Sequence, residues 1–313
     1  MPRLTRHYYL NFFGGEPLLC PNLIKKIVSF LGPLSQKFNK KPRYSITTNG
    51  SLLTEEMIRF FGRNEFSVEL SFDGSAQNGQ RRPGSAKKII PLIKRLLEDT
   101  KIHLEINSVF TPKSVDFLAD SLESVINLGV RNVRFSLSIL EPWNGASLKQ
   151  LKKELLKIER MMIDHYKSDQ WIPVVNFREY ERNSIAVCQA GRDRLAVDPR
   201  GGVWGCALFP DYFYRQKKTD DSRSFYFGNI SRFVANHQRL DARIQANYAG
   251  LSVDNFHTSK MPCFLCPCLG SCRVCPLDAA FSGGPIGKIP LYACQIQKIK
   301  QAVLKKFKKE AET

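Results

Sequence analysis

The chain has 313 residues, of which 43% are apolar and 24% are charged. This length and composition are typical of a globular protein that forms one large or two moderate domains. No apolar run approaches the roughly 20 residues that span a bilayer, and the first residues lack the apolar stretch of a signal peptide. We therefore expect a cytoplasmic protein without membrane contact, in which clustered thiols hold metal rather than form disulfides.

The formal net charge of +18 would attract acidic partners, such as an anionic peptide or a nucleic acid. Composition alone does not choose between them. Part of the excess lies in the C-terminal segment, where lysines face away from an apolar stripe at helical spacing, formed by Ile296, Ile299, Val303 and Phe307. We interpret this segment as a docked amphipathic helix with a solvated basic face.

Five β-rich runs alternate with helical patterns between residues 8 and 138. In chain order the runs are YYLNFF, RYSITT, FSVELSF, IHLEINSVF and NVRFSLSIL. The first helical pattern begins at Pro21, and the second follows the N-cap residue Thr54. Because crossover helices connect parallel strands, the alternation predicts an α/β fold with a parallel sheet, and a long helix from about Ser147 to Lys167 leads away from it.

Three polar, glycine-containing loops follow the first three strands. GGEP occupies residues 14–17, TTNG occupies residues 47–50 and SFDG occupies residues 71–74. In a barrel or half-barrel of parallel strands, functional groups lie on the loops after the carboxyl ends of the strands. Three such loops on one rim predict a binding mouth.

The region from about Cys188 onward contains eight of the nine cysteines, together with many glycines and prolines. We place a domain boundary near residue 185, which gives domains 1–185 and 186–313. Thiolates are soft ligands that suit iron–sulfur clusters and zinc. Seven cysteines and a spare exceed one zinc site and suffice for two four-iron clusters, and the alternative is one or two zinc sites that only hold the domain together.

These motifs resemble those of the radical S-adenosylmethionine (radical SAM) enzymes, partial β/α barrels with a GGEP loop after the second strand and often TNG and SxDG loops after the next two. The C-terminal part resembles the SPASM domain of that superfamily, found in sulfatase maturases and in enzymes that modify ribosomally made peptides. Twelve residues separate Cys188 from Gly201, and four separate Gly201 from Cys206, as in that domain. The resemblance implies a partial TIM-like barrel of parallel strands, with its first strand missing, followed by a Cys-rich SPASM domain.

The resemblance also assigns ligands to two auxiliary 4Fe–4S clusters. The first would be held by Cys188, Cys206 and Cys275, and the second by Cys263, Cys266, Cys272 and Cys294. Two residues separate Cys272 from Cys275, whereas the family usually has three residues at this place. A hairpin-like segment that ends at Cys206 would bring this residue near Cys188. Cys268 lies outside the pattern, as a spectator thiol or an eighth ligand, and Cys20 is interpreted as a small buried residue.

A cradle for S-adenosylmethionine is implied on the loop rim. The GGEP loop would receive the methionine amino group, with negative charge from Glu16 and acceptors from backbone carbonyls. Ser71 and Arg82 would bind the methionine carboxylate, with Arg81 as the alternative to Arg82. The implied cofactor-binding residues are Gly14, Gly15, Glu16, Pro17, Asn49, Ser71, Arg82 and Asn107.

The family's defining motif, Cys-x3-Cys-x2-Cys after the first barrel strand, does not occur in the chain. The three thiolates of that motif bind the cluster that cleaves S-adenosylmethionine. We therefore expect that residues 1–313 cannot cleave this cofactor reductively, and we assign no catalytic residue. A start-site error, a truncation and a genuine loss are the three explanations.

The function implied by the resemblance is that of a SPASM-type maturase, which modifies a peptide or protein and takes electrons from a reductant such as ferredoxin or flavodoxin. Nucleic acid is not an expected partner of such an enzyme. Sulfatase maturases have Asp after the cysteine that matches Cys206, whereas this chain has Ala207. Asp211 is too far along the chain to replace that Asp. This difference favours a peptide substrate other than a sulfatase. The alternative is a non-catalytic, basic, metal-stapled module that binds an acidic peptide or nucleic acid.

Overall fold

The computed structural model describes residues 7–178, 184–216, 222–235, 242–281 and 284–311. The chain divides into two compact units that alternate along the sequence. The sheet unit comprises Pro2–Ser138, Gln150–Glu179 and Lys306–Thr313. The cysteine unit consists mainly of Ile139–Lys149 and Tyr180–Lys305. The expected domains 1–185 and 186–313 stay predictions.

Five parallel strands form the sheet of the first unit, and they follow their chain order across it. The predicted parallel sheet is thus confirmed, and each of the five β-rich runs overlaps one strand. Aromatic and β-branched residues at alternating positions favour this pleated state. The strands are β1 His7–Phe12, β2 Lys41–Thr48, β3 Ser67–Ser71, β4 His103–Phe110 and β5 Val133–Leu137.

Helices connect successive strands of this sheet. Pro21 begins the first helix, and Thr54 caps the second by accepting a hydrogen bond from the Met57 amide at 3.3 Å. The long helix expected between Ser147 and Lys167 is also present. The helices up to this point in the chain are α1 Pro21–Lys37, α2 Glu55–Arg63, α3 Gln77–Gln80, α4 Ser85–Glu98, α5 Leu118–Ile126, α6 Gly145–Asp169 and α7 Val175–Arg178.

The two faces of the sheet differ in polarity. Ile46, Leu70 and Ile106 are fully buried on the face that the helices cover. Alternation along each strand turns every second side chain to the opposite face. We call this opposite face the polar face, and its partly exposed side chains include Thr47, Glu69, Ser71, Glu105, Asn107, Arg134 and Ser136. Because closed barrels fill their interior with apolar side chains, such a face is better suited to a ligand than to packing.

Large exposed apolar side chains concentrate on the β1 edge of the sheet and on α1. Tyr9 is 81% exposed on β1, which pairs only with β2 among the described strands. On α1, Leu23 and Phe30 are 55% and 68% exposed, two helical turns apart on one face. An unpaired edge strand beside an uncovered apolar helix face is a surface that favours association with other polypeptide.

The cysteine unit contains a three-stranded antiparallel sheet. The hairpin predicted before Cys206 is confirmed, because Ala196 pairs with Trp204. The strands are β6 Ala196–Val197, β7 Gly202–Trp204 and β8 Tyr226–Asn229. Among the described residues that follow α7, the α-helices are α8 Leu208–Gln216, α9 Ile230–Ala235, α10 Ala242–Ala249, α11 Asp278–Phe281 and α12 Leu291–Ala311.

The C-terminal helix α12 is amphipathic, as the sequence predicts. Val303 and Phe307 are buried, and the Phe307 ring meets Phe177 edge-on with 5.3 Å between centroids. The basic face is not solvated throughout, because Lys306 Nζ lies 2.8 Å from the buried carboxylate of Glu159. Within the described ranges, no helix combines the length and the apolar character that crossing a membrane requires.

Candidate cofactor and metal site

Glu16 joins two of the three rim loops through its side chain. Its Oε1 accepts hydrogen bonds from Thr48 Oγ1 at 2.7 Å and from the Leu18 amide at 3.1 Å. Its Oε2 accepts one from the Asn49 amide at 2.9 Å. The GGEP and TTNG loops therefore lie side by side at the carboxyl ends of β1 and β2, as expected for a binding mouth.

Asn49 uses its side chain within its own loop. Its Oδ1 accepts a hydrogen bond from the Ser51 amide at 2.8 Å, which forms a local turn of the kind that asparagine favours. The next residue, Gly50, has φ +76°, and an added Cβ would lie 2.8 Å from Leu70 Cδ1. Glycine is therefore required both by the backbone conformation and by the close packing beneath the loop.

A hydrogen-bond network crosses the polar face from β3 to β5. Asn107 Nδ2 donates to Glu69 Oε1 at 2.8 Å, and Asn107 Oδ1 accepts from Ser136 Oγ at 3.1 Å. Ser71 is the register partner of Asn107 on the neighbouring strand. Next to this network, Arg134 Nε lies 2.7 Å from Glu105 Oε1. The structure thus brings the predicted Ser71 and Asn107 together on one face.

Arg81 and Arg82 have different environments. Arg81 Nε lies 2.6 Å from Asp73 Oδ2, and that buried carboxylate also accepts a hydrogen bond from the Val109 amide at 3.0 Å. Arg81 is therefore engaged in holding the SFDG loop against β4. Arg82 is exposed, and no ion pair involves it among the described residues. The assignment of Arg82 to the methionine carboxylate stays a prediction.

Three cysteines border one apolar cluster of the cysteine unit. We call Cys188, Cys206 and Cys275 the first cysteine group. All three pack against a core that includes Trp204, Phe209 and Tyr248. Burial raises the pKa of the Cys188 thiol, and the charge of the Cys206 thiol acts in the same direction.

Two of four other cysteines, Cys263 and Cys272, belong to or pack against a separate apolar cluster. We call Cys263, Cys266, Cys272 and Cys294 the second cysteine group. Burial raises the pKa of Cys263 to about 11, and the other three thiols of the group act in the same direction. Cys263 is part of a core with Val253, Phe256 and Val274, and Cys272 packs against that core. Cys268 stands two residues after Cys266, and its charge acts in the direction that raises the pKa of Cys294.

No protein-family model matches the chain. It is 23% identical over 276 residues to the radical SAM cyclopropyl synthase TigE of Paramaledivibacter caminithermalis. The aligned region covers 84% of this chain and 52% of TigE. It is 25% identical over 214 residues to the subtilosin biosynthesis protein AlbA of Bacillus subtilis. That aligned region covers 64% of this chain and 44% of AlbA. The chain spans about half the length of the curated relatives it matches.

The fold matches the solved structure of anSMEcpe with bound AdoMet and the Kp18Cys peptide. The TM-score is 0.73 at 17% identity, over 99% of this chain and 87% of that chain. The curated relatives that this chain resembles in sequence thus include radical SAM maturases. The structural likeness establishes the fold, and the expected α/β class of a radical SAM barrel with a Cys-rich C-terminal region is confirmed.

Iron–sulfur ligation fits the chemistry of both cysteine groups. All nine cysteines have thiol side chains rather than disulfides. The first group, and Cys263 and Cys272 of the second, lie against apolar side chains, which would limit the access of water to a metal centre. The raised pKa values reflect burial and repulsion between neighbouring thiolates, and a cationic metal centre would relieve both. Within the part of the chain that is described, no three His, Cys, Asp or Glu side chains are close enough to hold a single metal ion.

Two structural findings differ from the expectations that the sequence gives. Cys20 is exposed at the start of α1, and the interpretation of it as a buried residue is wrong, because the neighbouring Leu18 takes the buried position there. The sequence analysis also missed Glu69, Arg134 and Ser136. Their signal was present, because residues two positions apart in a strand share a face, and Glu69 stands two residues before Ser71.

Proposed function

We propose that the chain is the cofactor-cradle and auxiliary-cluster part of a SPASM-type radical SAM maturase, whose substrate is a peptide or protein. The observation that carries this proposal is the division of five cysteines between two separate apolar clusters, with Cys188, Cys206 and Cys275 at one and Cys263 and Cys272 at the other. The groups interleave along the chain, because Cys275 borders the same cluster as Cys188 and Cys206 although it follows Cys272. Such interleaving is what the family's ligand pattern implies.

The two cysteine groups would each hold one four-iron cluster. The first group offers three thiolates, so one iron would take another ligand, and the second group offers four. Bound clusters of this kind supply one-electron transfer. The electrons would come from a reductant such as ferredoxin or flavodoxin. The chain's own residues would fix the thiolates in place and exclude water. Cys268 would be a spectator beside the second group.

The rim loops would bind S-adenosylmethionine. Because the Glu16 carboxylate already accepts three hydrogen bonds, it would fix the loop and supply negative charge, while backbone carbonyls of Gly14 and Gly15 would receive the methionine ammonium group. Pro17 starts the turn that follows the loop. Ser71 and Arg82 would bind the methionine carboxylate. Asn49 and Asn107 would complete the cradle from the ends of their strands.

A peptide segment would lie along the polar face. The partly exposed Glu69, Asn107 and Ser136 offer donors and acceptors to a polar ligand, which supports this placement. A peptide is bound in the solved anSMEcpe structure, and AlbA is a bacteriocin biosynthesis protein, which both support peptide modification. Because Ala207 follows Cys206 and Asp211 lies farther along in α8, we favour a substrate other than a sulfatase.

Anaerobic reconstitution of the full chain with iron and sulfide tests the proposal. We expect about eight irons and eight sulfides per chain, with the brown colour and the reducible absorption of four-iron clusters. Metal content is measured by plasma mass spectrometry, and sulfide by a colorimetric assay. A colourless protein that contains stoichiometric zinc after anaerobic purification would contradict the proposal and favour a purely structural metal site.

A further inference from the structure

Tyr248 is a fully buried tyrosine on α10 that contacts the backbone next to a cysteine of the first group. Its hydroxyl accepts a hydrogen bond from the amide of Gly205 at 2.7 Å, and Gly205 directly precedes Cys206. The same hydroxyl donates to the carbonyl oxygen of Phe225 at 2.6 Å. The hydroxyl is therefore satisfied on both sides and joins the Cys206 segment to the residues that precede β8.

The Tyr248 ring also controls how closely two cysteine-bearing segments approach. A Cβ atom added at Gly205 or at Gly191 would lie 2.4 Å from a ring carbon of Tyr248. Gly191 stands three residues after Cys188, and its amide donates to the Gly205 carbonyl oxygen at 3.3 Å. With φ +68°, Gly191 also has a backbone conformation that other residues rarely adopt. The ring thus packs directly on both segments where they meet.

We propose that Tyr248 is the positioning residue of the first cysteine group, which sets the separation of Cys188 and Cys206 and keeps the Gly205 N–H away from sulfur. The part of this inference that concerns a cluster rests on the proposed function. Burial raises the pKa of Tyr248, and the charges of Cys206 and Cys188 act in the same direction. Phenylalanine at this position would keep the ring and free the amide.

A freed Gly205 N–H has a specific electronic consequence. This amide lies one residue from a proposed iron ligand, so it could then donate to a sulfur atom of the centre. Hydrogen bonds to cluster sulfurs stabilise the more negative, reduced form and raise the reduction potential. A residue that only adds packing energy would lower stability without moving the potential of one centre.

Redox titration followed by electron paramagnetic resonance tests this inference on the reconstituted full chain. For Tyr248→Phe we expect a higher midpoint potential at the first centre and an unchanged one at the second. The matched control is Tyr212→Phe, a buried tyrosine of the same apolar cluster whose ring faces Phe213 and Phe281. It should change neither centre. An unchanged potential in Tyr248→Phe, or equal shifts at both centres, would overturn the inference.

Alkylation of the metal-free chain, followed by peptide mass spectrometry, separates this inference from the proposed function. In Tyr248→Phe, and in Gly205→Ala, whose Cβ would press on the ring, Cys188 and Cys206 should react severalfold faster than in the unaltered chain. Cys263 and Cys272 should react at unchanged rates, which shows that the fold persists. If no iron binds but these rates change as expected, the positioning role stands and the cluster assignment is wrong. If iron binds and neither readout changes at the first group, the role of Tyr248 is wrong.

Discussion

Glu16 combines two properties at the loop rim, because its carboxylate is both an acceptor for protein donors and a negative charge beside the proposed cofactor. Three donors from two segments converge on it: the Thr48 hydroxyl and the amides of Leu18 and Asn49. A partly buried donor that loses its acceptor costs about 1–3 kcal/mol. The carboxylate therefore links loop geometry to charge at a single residue.

Replacing Glu16 with Gln should destabilise the sheet unit. The new amide hydrogens must face either the Asn49 amide or the donors of Thr48 and Leu18, so at least one donor loses its acceptor. We expect the free energy of unfolding to fall by about 1–3 kcal/mol, measured by urea unfolding with far-UV circular dichroism. Glu55→Gln, at an exposed ion pair with Arg95, is the control and should change it by less than about 0.5 kcal/mol. Equal effects of the two changes would show that the Glu16 hydrogen bonds are not structural.

Asp198 organises the hairpin that leads to Cys206. Its carboxylate accepts hydrogen bonds from the Tyr214 hydroxyl at 2.7 Å, the Trp204 indole at 2.8 Å, and the amides of Arg200 at 2.8 Å and Gly202 at 3.0 Å. Burial acts to raise the pKa of Asp198, but these hydrogen bonds outweigh it and lower the pKa. The ionised form is therefore favoured in the folded state.

The pH dependence of stability follows from the sign of this shift. A lowered folded-state pKa adds stability at pH values above the unfolded pKa of about 3.9, and that stability is lost as the pH falls through the folded value. Asp198→Asn should lower the free energy of unfolding at neutral pH by about 1–3 kcal/mol. The free energy of unfolding of this variant should also fall less steeply as the pH is lowered into the acid range. Urea unfolding at a series of pH values from neutral to acid measures both effects. If the acid-side slopes of the two proteins coincide, Asp198 does not contribute in this way.

At the level of elements, β1 and α1 carry several large apolar side chains that are exposed. Tyr9 on the strand and Leu23 and Phe30 on the helix are all more than half exposed. The backbone of an edge strand offers unpaired donors and acceptors to another chain, and nearby apolar side chains add to the attraction. Self-association through this edge is the expected physical consequence.

Charged substitutions on this edge should reduce self-association of residues 1–313. We expect Tyr9→Lys with Phe30→Lys to lower the weight-average mass at a given concentration, while the far-UV circular dichroism spectrum stays unchanged. Multi-angle light scattering over a concentration series measures the effect. Phe117→Lys, a substitution of an exposed phenylalanine away from this edge, is the matched control and should have no effect. If the double variant associates as the unaltered chain does, another surface is responsible.

The elements of the sheet unit were predictable because each carries its own periodic signal. Alternation marks the strands, and Pro21 and Thr54 mark helix starts. In the cysteine unit the sequence predicted the hairpin but missed α8, α10 and β8. These short elements are rich in aromatic residues, and packing among rings such as Phe209, Phe225 and Tyr248 holds them rather than a local pattern.

Across the whole molecule, contacts between distant residues mark the limit of sequence reasoning. The loop motifs predicted where the rim lies, but the link from Asn107 to Glu69 and Ser136 depends on the register of three strands, which no local pattern fixes. The role of Gly191 and Gly205 likewise depends on a tyrosine more than forty residues away. The two ligand sets, by contrast, were predicted because the cysteine spacing resembles that of a known domain.

The central claim is that interleaved cysteines form two separate iron–sulfur sites, and Mössbauer spectroscopy of chain reconstituted with ⁵⁷Fe tests it most directly. Cys188→Ala should remove the spectrum of one four-iron centre, and Cys294→Ala should remove that of the other, so that each variant keeps about four irons. Cys20→Ala, at an exposed thiol outside both groups, should keep both centres. If either Cys188→Ala or Cys294→Ala removed both centres while the protein stayed folded, or if the two variants lost the same centre, the two-site account would be contradicted.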